Sequence, residues 1–144
     1  MRSDVRSATQ PVVAFVRPRT PAGLWSQPLA TLRDAALAQT PADVSPKERK
    51  AVVRQRSEAV KVYVLRRADG RCEGCGSPAP FETPDGKPYL EPHHTRRLAD
   101  GGPDHPRWVA ALCPNCHARV HRGADGDRFN AELIERLGEL EGEG

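Results

Sequence analysis

The chain has 144 residues, 38% of them hydrophobic and 5% aromatic, with 14 Pro, 12 Gly and a net charge of +3. This length favours one compact domain, and so thin a core usually needs a metal or a disulfide to stabilise it. The chain has no apolar run of about 18 residues and no apolar segment after the basic N-terminus, so we expect neither a membrane span nor a secretory signal. We therefore expect a cytoplasmic protein, and disulfides are rare in that compartment.

The N-terminal part is predicted to be basic and only partly ordered. Residues 1–71 hold 14 Lys and Arg against 6 Asp and Glu, which suits a polyanion such as DNA or an ordinary solvated surface. Residues 1–27 are predicted to be an extended or disordered arm, and residues 29–39 a short helix. We therefore divide the chain into an arm, residues 1–44, and a main domain, residues 45–144.

A long helix is predicted to begin after the N-cap Ser45, because Pro46 fits the first helical turn and Glu48 completes a capping box with Ser45. It is predicted to end near Asp69 before Gly70. Its helical spacing predicts that three valines face the core: Val53, Val60 and Val64. A separate stripe is basic, with Lys47, Lys50, Arg54 and Lys61. Of these, Lys50 and Arg54 are candidate contacts to DNA phosphates, although a solvated face is the alternative.

Short elements follow in the second half. The turn Pro84-Asp85-Gly86 predicts a hairpin between residues 81–83 and 87–91. Residues 108–112 are predicted to be a strand, residues 114–122 a short helix, and residues about 127–140 a final helix. The apolar face of that helix carries Phe129, Leu133, Leu137 and Leu140.

Two C-x2-C pairs, Cys72/Cys75 and Cys113/Cys116, lie far apart in the sequence. Each pair brings two thiolates to one ion from a single turn, and two pairs supply the four tetrahedral ligands that Zn²⁺ prefers. Such an ion has no open position, so it is expected to be structural. A redox motif or an iron–sulfur cluster is the weaker alternative.

All five histidines lie between positions 93 and 121. His117 and His121 are one helical turn apart and can bind one ion together, with His93 as the third ligand from a strand. His94 would point to the opposite face of that strand, so it is a candidate general base beside a catalytic metal. The alternatives are that His117 or His121 replaces a cysteine in the zinc shell, or that all the histidines lie on the surface. His105 stays unassigned.

The segments RCEGCG, YLEPHHTRRLADGGPDHP and WVAALCPNCHARVH, within residues 57–122, resemble the HNH endonucleases of the McrA-like kind. The resemblance implies an α+β fold with a ββα-metal core, also called a His-Me finger, supported by a four-cysteine zinc and flanked by helices. It also implies that His93, His117 and His121 bind the catalytic ion and that His94 is the base. The family's middle Asn, which braces the loop behind the base in proteins of this kind, lies nine residues before the first helix histidine, where this chain has Trp108.

The resemblance implies a metal-dependent endonuclease of the restriction or phage type that cuts DNA. Arg96 and Arg97 follow the base directly and are the favoured phosphate contacts, with a solvated loop as the alternative. The catalytic ion could be Mg²⁺, Mn²⁺, Ni²⁺ or Zn²⁺, and two strands cut in register would favour a homodimer. The competing function is a non-catalytic, zinc-stapled nucleic-acid-binding module on an HNH scaffold, which Trp108 favours.

Overall fold

The computed structural model describes residues 21–98 and 103–142. Within these residues, five α-helices, two strands and one 3₁₀ helix follow each other as α1 (Pro21–Trp25), α2 (Leu29–Ala36), α3 (Pro46–Ala68), β1 (Glu91–His94), the 3₁₀ helix (Pro106–Trp108), β2 (Val109–Leu112), α4 (Pro114–Arg122) and α5 (Gly126–Glu141). The predicted α+β class is confirmed. Within the described residues, no helix is both long and apolar enough to cross a membrane.

Helix α3 begins and ends as its sequence predicts. The Ser45 hydroxyl accepts from the Glu48 backbone N–H at 3.1 Å, and the Glu48 carboxylate accepts from the Ser45 N–H at 3.1 Å. Asp69 closes the helix in the left-handed region, followed by Gly70 at a φ of 81°. Both ends of the helix are therefore capped.

The buried face of α3 differs from the prediction at its first turns. Val60 and Val64 are fully buried, but Val53 is 40% exposed and Val52 is buried in its place. Among residues 46–54 only Val52 is buried, because little packs over this end of the helix. The expectation that Val53 faces the core was wrong.

Helices α1 and α2 pack on α3 and form one core with it. Leu24, Leu32 and Ala36 are each at most 5% exposed within a cluster that also contains Val60 and Val109. The prediction of an extended or disordered arm was therefore wrong for residues 21–25, although the helix expected at residues 29–39 forms at Leu29–Ala36. The rest of the predicted arm, residues 1–20, lies outside the described residues.

The two strands pair antiparallel, with Glu91 opposite Leu112 and His94 opposite Val109. All four residues of β2 are fully buried, so the small sheet is anchored in the core. Because side chains alternate along a strand, Glu91 and His93 share one face of β1 and His94 takes the other. This alternation separates the histidines as the sequence predicted.

The predicted hairpin forms as a tight turn with a single bridge between Glu82 and Pro88. Gly86 adopts a φ of 82° there, and the Gly86 N–H donates to the Thr83 carbonyl at 2.8 Å. Positive φ is the reason that a glycine suits this turn. The Phe81 ring stacks on Tyr89, with the centroids 4.7 Å apart.

The final helix, α5, has the predicted length but a different inner face at its end. Phe129, Leu133 and Leu137 are buried, whereas Leu140 is 51% exposed. Residue 141, four positions after Leu137, takes the inner position instead, and its side chain is only 2% exposed. Leu140 was therefore wrongly assigned to the core, since the i to i+4 spacing continues through Glu141.

Glu141 lies at the centre of a buried charged network. Its carboxylate accepts from the Tyr63 hydroxyl at 2.8 Å and from the Arg67 guanidinium at 3.0 Å. Arg67 also makes a two-pronged contact to Glu73, at 2.7 and 2.8 Å, and Arg33 lies 3.2 Å from Glu141. Burial raises the pKa of the Glu141 carboxyl, but hydrogen bonds from Tyr63 and Arg67 outweigh burial and hold that pKa below its usual value.

We expect Glu141→Gln to lower the free energy of unfolding at pH 7 by about 3 kcal/mol. The substitution leaves Arg67 buried with one counter-ion instead of two, and breaking a buried ion pair typically costs 3–5 kcal/mol. Urea unfolding of the zinc-loaded protein measures the change. Glu139→Gln, at an exposed position of the same helix, is the matched control and should change stability by less than about 0.5 kcal/mol. Equal stabilities of the two variants would contradict the prediction.

Candidate metal centres

The four cysteines converge on one point. The sulfurs of Cys72, Cys75, Cys113 and Cys116 all lie within 4.8 Å of one another. Sulfurs around one tetrahedral zinc are about 3.8 Å apart, so a small closing movement would complete the shell. Four soft sulfur ligands with no carboxylate fit Zn²⁺, and the cysteine clustering that was predicted for zinc is confirmed.

Backbone N–H groups surround the cysteine cluster. Cys72 Sγ accepts from the N–H of Gly74 at 3.2 Å and of Cys113 at 3.3 Å. Hydrogen bonds from Ser77 lower the pKa of the Cys75 thiol to about 6, whereas burial raises the pKa of Cys113 and Cys116. A divalent ion would favour the thiolate form of all four.

The first cysteine turn is fitted closely to the sheet and to α5. The Glu73 N–H donates to the Ala111 carbonyl at 2.8 Å, and the Glu73 carboxylate accepts from the Ala111 N–H at 2.9 Å. A Cβ on Gly74 would lie 3.0 Å from the Phe129 ring and 3.2 Å from Leu112. The turn therefore requires a glycine for close packing.

Three histidines form a second cluster. One ring nitrogen from each of His93, His117 and His121 lies within 4.8 Å of the other two, and the ring centroids are 5.0–5.2 Å apart. His93 comes from β1 and is 5% exposed, while His117 and His121 lie one turn apart on α4. The cysteines form their own group, so the chain offers two separate ligand sets.

Two of the clustered histidines also have a hydrogen-bond partner on one ring nitrogen. His117 Nδ1 lies 2.8 Å from a Glu91 oxygen, and the second Glu91 oxygen accepts from the Tyr89 hydroxyl at 2.7 Å. His93 Nε2 lies 2.9 Å from Asn130 Oδ1. Burial lowers the pKa of His93, which favours the neutral ring that a metal needs. Such outer partners fix the tautomer and the orientation of ligand histidines.

His94 lies on the opposite face of β1 and outside both ligand groups. Its Nε2 is 3.0 Å from an Asp104 oxygen, and the two side chains are 18% and 10% exposed. The carboxylate can accept the Nε2 hydrogen, which leaves the lone pair on Nδ1. A neutral imidazole so oriented can take a proton from water.

Trp108 ends the 3₁₀ helix that leads into β2. Its carbonyl accepts from both the N–H and the hydroxyl of Thr95, each at 2.8 Å, so the chain just after His94 is held by backbone atoms of this residue. The guanidinium carbons of Arg96 and Arg107 each lie 4.2 Å from the centroid of its ring. Asn115 is exposed in the second cysteine turn.

The candidate phosphate contacts are all at the surface. Arg96 and Arg97 are exposed directly after β1, and Lys50 and Arg54 are exposed in the first half of α3. The unassigned His105 has a local role, because its Nδ1 accepts from the Arg107 N–H at 3.0 Å and caps the 3₁₀ helix.

Three residues around the histidines were not singled out from the sequence: Glu91, Asp104 and Asn130. Glu91 could have been found, because it lies two residues before His93 and so shares its strand face. Asp104 and Asn130 come from a loop and from α5, 10 and 37 residues from their histidine partners. No local pattern in the sequence links them to the site.

The part of the chain that carries this site is similar to known endonucleases. Residues 72–123 match the model of the HNH endonuclease family. The type IV methyl-directed restriction enzyme EcoKMcrA of Escherichia coli (strain K12) is 44% identical over 90 residues, which are 62% of this chain and 31% of that protein. The solved type IV phosphorothioation-dependent restriction endonuclease ScoMcrA matches with a TM-score of 0.56 and 30% identity, over 77% of this chain and 26% of that one. The chain thus spans about a third or less of each relative.

Proposed function

We propose that residues 72–123, which match the HNH endonuclease family model, form an HNH-type endonuclease domain and that the chain hydrolyses phosphodiester bonds of DNA. In this proposal His94 is the general base, and His93, His117 and His121 bind one catalytic divalent ion. The four cysteines bind a separate structural Zn²⁺. The restriction enzymes that resemble this chain support DNA as the substrate.

The observation that carries the proposal is the arrangement of the histidines. Three imidazoles from β1 and α4 meet at one point, and a fourth imidazole stands beside them on the other face of the strand. A purely structural metal site needs no further imidazole beside it. Four protein side chains usually complete its ligand shell. Three protein ligands leave positions for water and a phosphate oxygen, which is typical of catalytic metal sites.

The chemistry assigned to the protein is a proton transfer at His94. Asp104 accepts the Nε2 hydrogen of His94, and the free Nδ1 takes a proton from the attacking water. Glu91 orients His117 through the same kind of contact. When bound by the three histidines, a divalent cation supplies stabilisation of the charge that builds on the phosphate and on the leaving oxygen. Mg²⁺, Mn²⁺, Ni²⁺ and Zn²⁺ are all compatible with that role.

The DNA backbone is proposed to bind at exposed cations. Arg96 and Arg97 follow His94 within three residues and are therefore assigned to phosphates next to the scissile bond. Lys50 and Arg54 on α3 are assigned to phosphates further away. The proposed setting is restriction-type cleavage of cytoplasmic DNA. The homodimer and the division between an arm, residues 1–44, and a main domain, residues 45–144, remain predictions.

The proposal predicts that the zinc-loaded protein cuts plasmid DNA only when a further divalent metal is added. Mg²⁺, Mn²⁺, Ni²⁺ and Zn²⁺ are tested separately, and nicked and linear products are quantified on gels. His121→Ala removes one of three ligands and should reduce cutting at least about 100-fold, while the bound zinc stays at one per chain.

Glu132→Ala is the control for this experiment, because Glu132 is exposed on α5 and lies outside both ligand groups. Its cutting should match that of the unmodified protein. If the unmodified protein binds DNA in a salt-dependent way but cuts with none of the four metals, the proposal is wrong. The alternative, a non-catalytic nucleic-acid-binding module, would then account for Trp108 at the family's Asn position.

A further inference from the structure

This chain has Trp108 where the family has Asn, so other groups must hold the backbone around His94. A tryptophan side chain has one N–H donor and no acceptor, so it cannot bridge two backbone groups as an amide can. Its backbone carbonyl does part of this work through Thr95. An asparagine side chain nearby has both a donor and an acceptor, and it makes the contacts that the Trp108 side chain cannot make.

We propose that Asn130, on α5 and outside the family-matched residues 72–123, is a positioning residue for the histidine site. It orients His93 toward the ion and holds the backbone that follows His94. This inference rests on the proposed nuclease function, because only a reacting site needs both histidines in fixed geometry.

The hydrogen-bond pattern of Asn130 defines its orientation and that of His93. The Asn130 Nδ2 donates to the Thr95 carbonyl at 3.0 Å, and this carbonyl can only accept. The Asn130 Oδ1 must therefore face His93, whose Nε2 lies 2.9 Å away. His93 Nε2 then carries the hydrogen, and Nδ1 keeps the lone pair for an ion.

One amide thus holds the residues on both sides of His94. His93 and Thr95 are 5% and 8% exposed, so neither polar group has ready access to water as a substitute partner. Asn130 itself is fixed by its helix, since Phe129 and Leu133 of α5 are 4% and 1% exposed. The packing of α5 in the core therefore holds the Asn130 side chain in place, and Asn130 in turn holds His93 and Thr95.

Two substitutions separate the contacts of Asn130. In Asn130→Leu both hydrogen bonds are lost at similar volume, so we expect the affinity for the histidine-bound ion to fall about 10–100-fold. In Asn130→Asp the carboxylate can still accept from His93 but cannot donate to Thr95. This variant should keep its metal affinity within about threefold, yet lose about 10–100-fold in cleavage rate because His94 is displaced.

The test uses tag-free, zinc-loaded full-length chain. Ni²⁺ is titrated by calorimetry, plasmid cleavage is measured at saturating metal, and thermal unfolding confirms that each variant is folded at the assay temperature. Glu132→Gln, at an exposed position of α5, is the matched control and should match the unmodified chain in both assays. A merely structural role of Asn130 would lower the unfolding temperature and leave Ni²⁺ affinity and cleavage unchanged.

The outcomes distinguish this inference from the function on which it rests. An unmodified chain that neither binds Ni²⁺ beyond its zinc nor cuts DNA would overturn the proposed function itself. An active unmodified chain together with Asn130→Asp that cuts at the full rate would overturn the positioning role alone. If Asn130→Leu does not fold, Asn130→Asp still decides the question, because it retains a polar group and the contact to His93.

Discussion

His94→Ala is expected to lower the rate of plasmid cleavage by about 10²–10⁴-fold, the usual contribution of a general base. The side chain lies outside both ligand groups and is only partly buried. Its removal should therefore leave the zinc content, the Ni²⁺ affinity of the histidine cluster and the unfolding temperature close to their original values. A loss confined to the cleavage rate is the signature of a residue that acts in the chemical step.

His105→Asn is the matched control for His94→Ala. It removes a nearby imidazole that caps the 3₁₀ helix, and Asn is itself a good capping residue. We expect this variant to cut DNA at nearly the original rate. Cleavage by His94→Ala at more than about a tenth of the original rate would exclude His94 as the base. A parallel loss of Ni²⁺ binding would instead reassign it as a ligand.

Cys72→Ser is expected to unfold the part of the protein that carries the site. Cys72 is 2% exposed, and its sulfur accepts from three backbone N–H groups, those of Gly74, Cys75 and Cys113. Structural zinc contributes about 10–16 kcal/mol to small zinc domains, which equals or exceeds the total stability of most domains, about 5–15 kcal/mol. A serine ligand cannot replace a thiolate, so the loss of zinc becomes a loss of fold.

Zinc content by mass spectrometry and the dispersion of amide signals by NMR measure this effect. The control is Asn115→Ser, which changes an exposed residue between Cys113 and Cys116 without removing a sulfur. It should retain one zinc per chain and a dispersed spectrum. A zinc-free Cys72→Ser protein with the same dispersed spectrum would show that the cysteine cluster does not support the fold.

Both clusters of candidate ligands could be predicted because their geometry is mostly local. A C-x2-C turn brings two sulfurs together whatever surrounds it, and residues at i and i+4 of a helix share a face. Alternation along β1 likewise separates His93 from His94. The long helix α3 was predictable for the same reason, since Ser45, Glu48 and Gly70 act on their immediate neighbours.

The predictions that were wrong concern which side of a helix is covered. Val53 falls on the helical face of Val60, but among the described residues the first turns of α3 bury Val52 and leave Val53 40% exposed. Leu140 was preferred to Glu141 because leucine is apolar, yet Tyr63 and Arg67 supply the charge and hydrogen bonds that make the buried carboxylate stable. Periodicity gives the direction of a side chain, and only the neighbouring elements decide whether that direction is buried.

The sequence by itself therefore determined the ligand sets, the separation of the candidate base from the candidate ion, and the α+β class. Only the tertiary structure decided the partners of the histidines: Asp104 for His94, and Asn130 for His93. Asp104 lies in a loop and Asn130 on α5, and the packing of the fold brings each of them to its histidine. No spacing rule in the sequence connects residues that meet only through tertiary packing. For the same reason the backbone support by Trp108 could not be read from its identity, because its carbonyl, not its side chain, makes the contact.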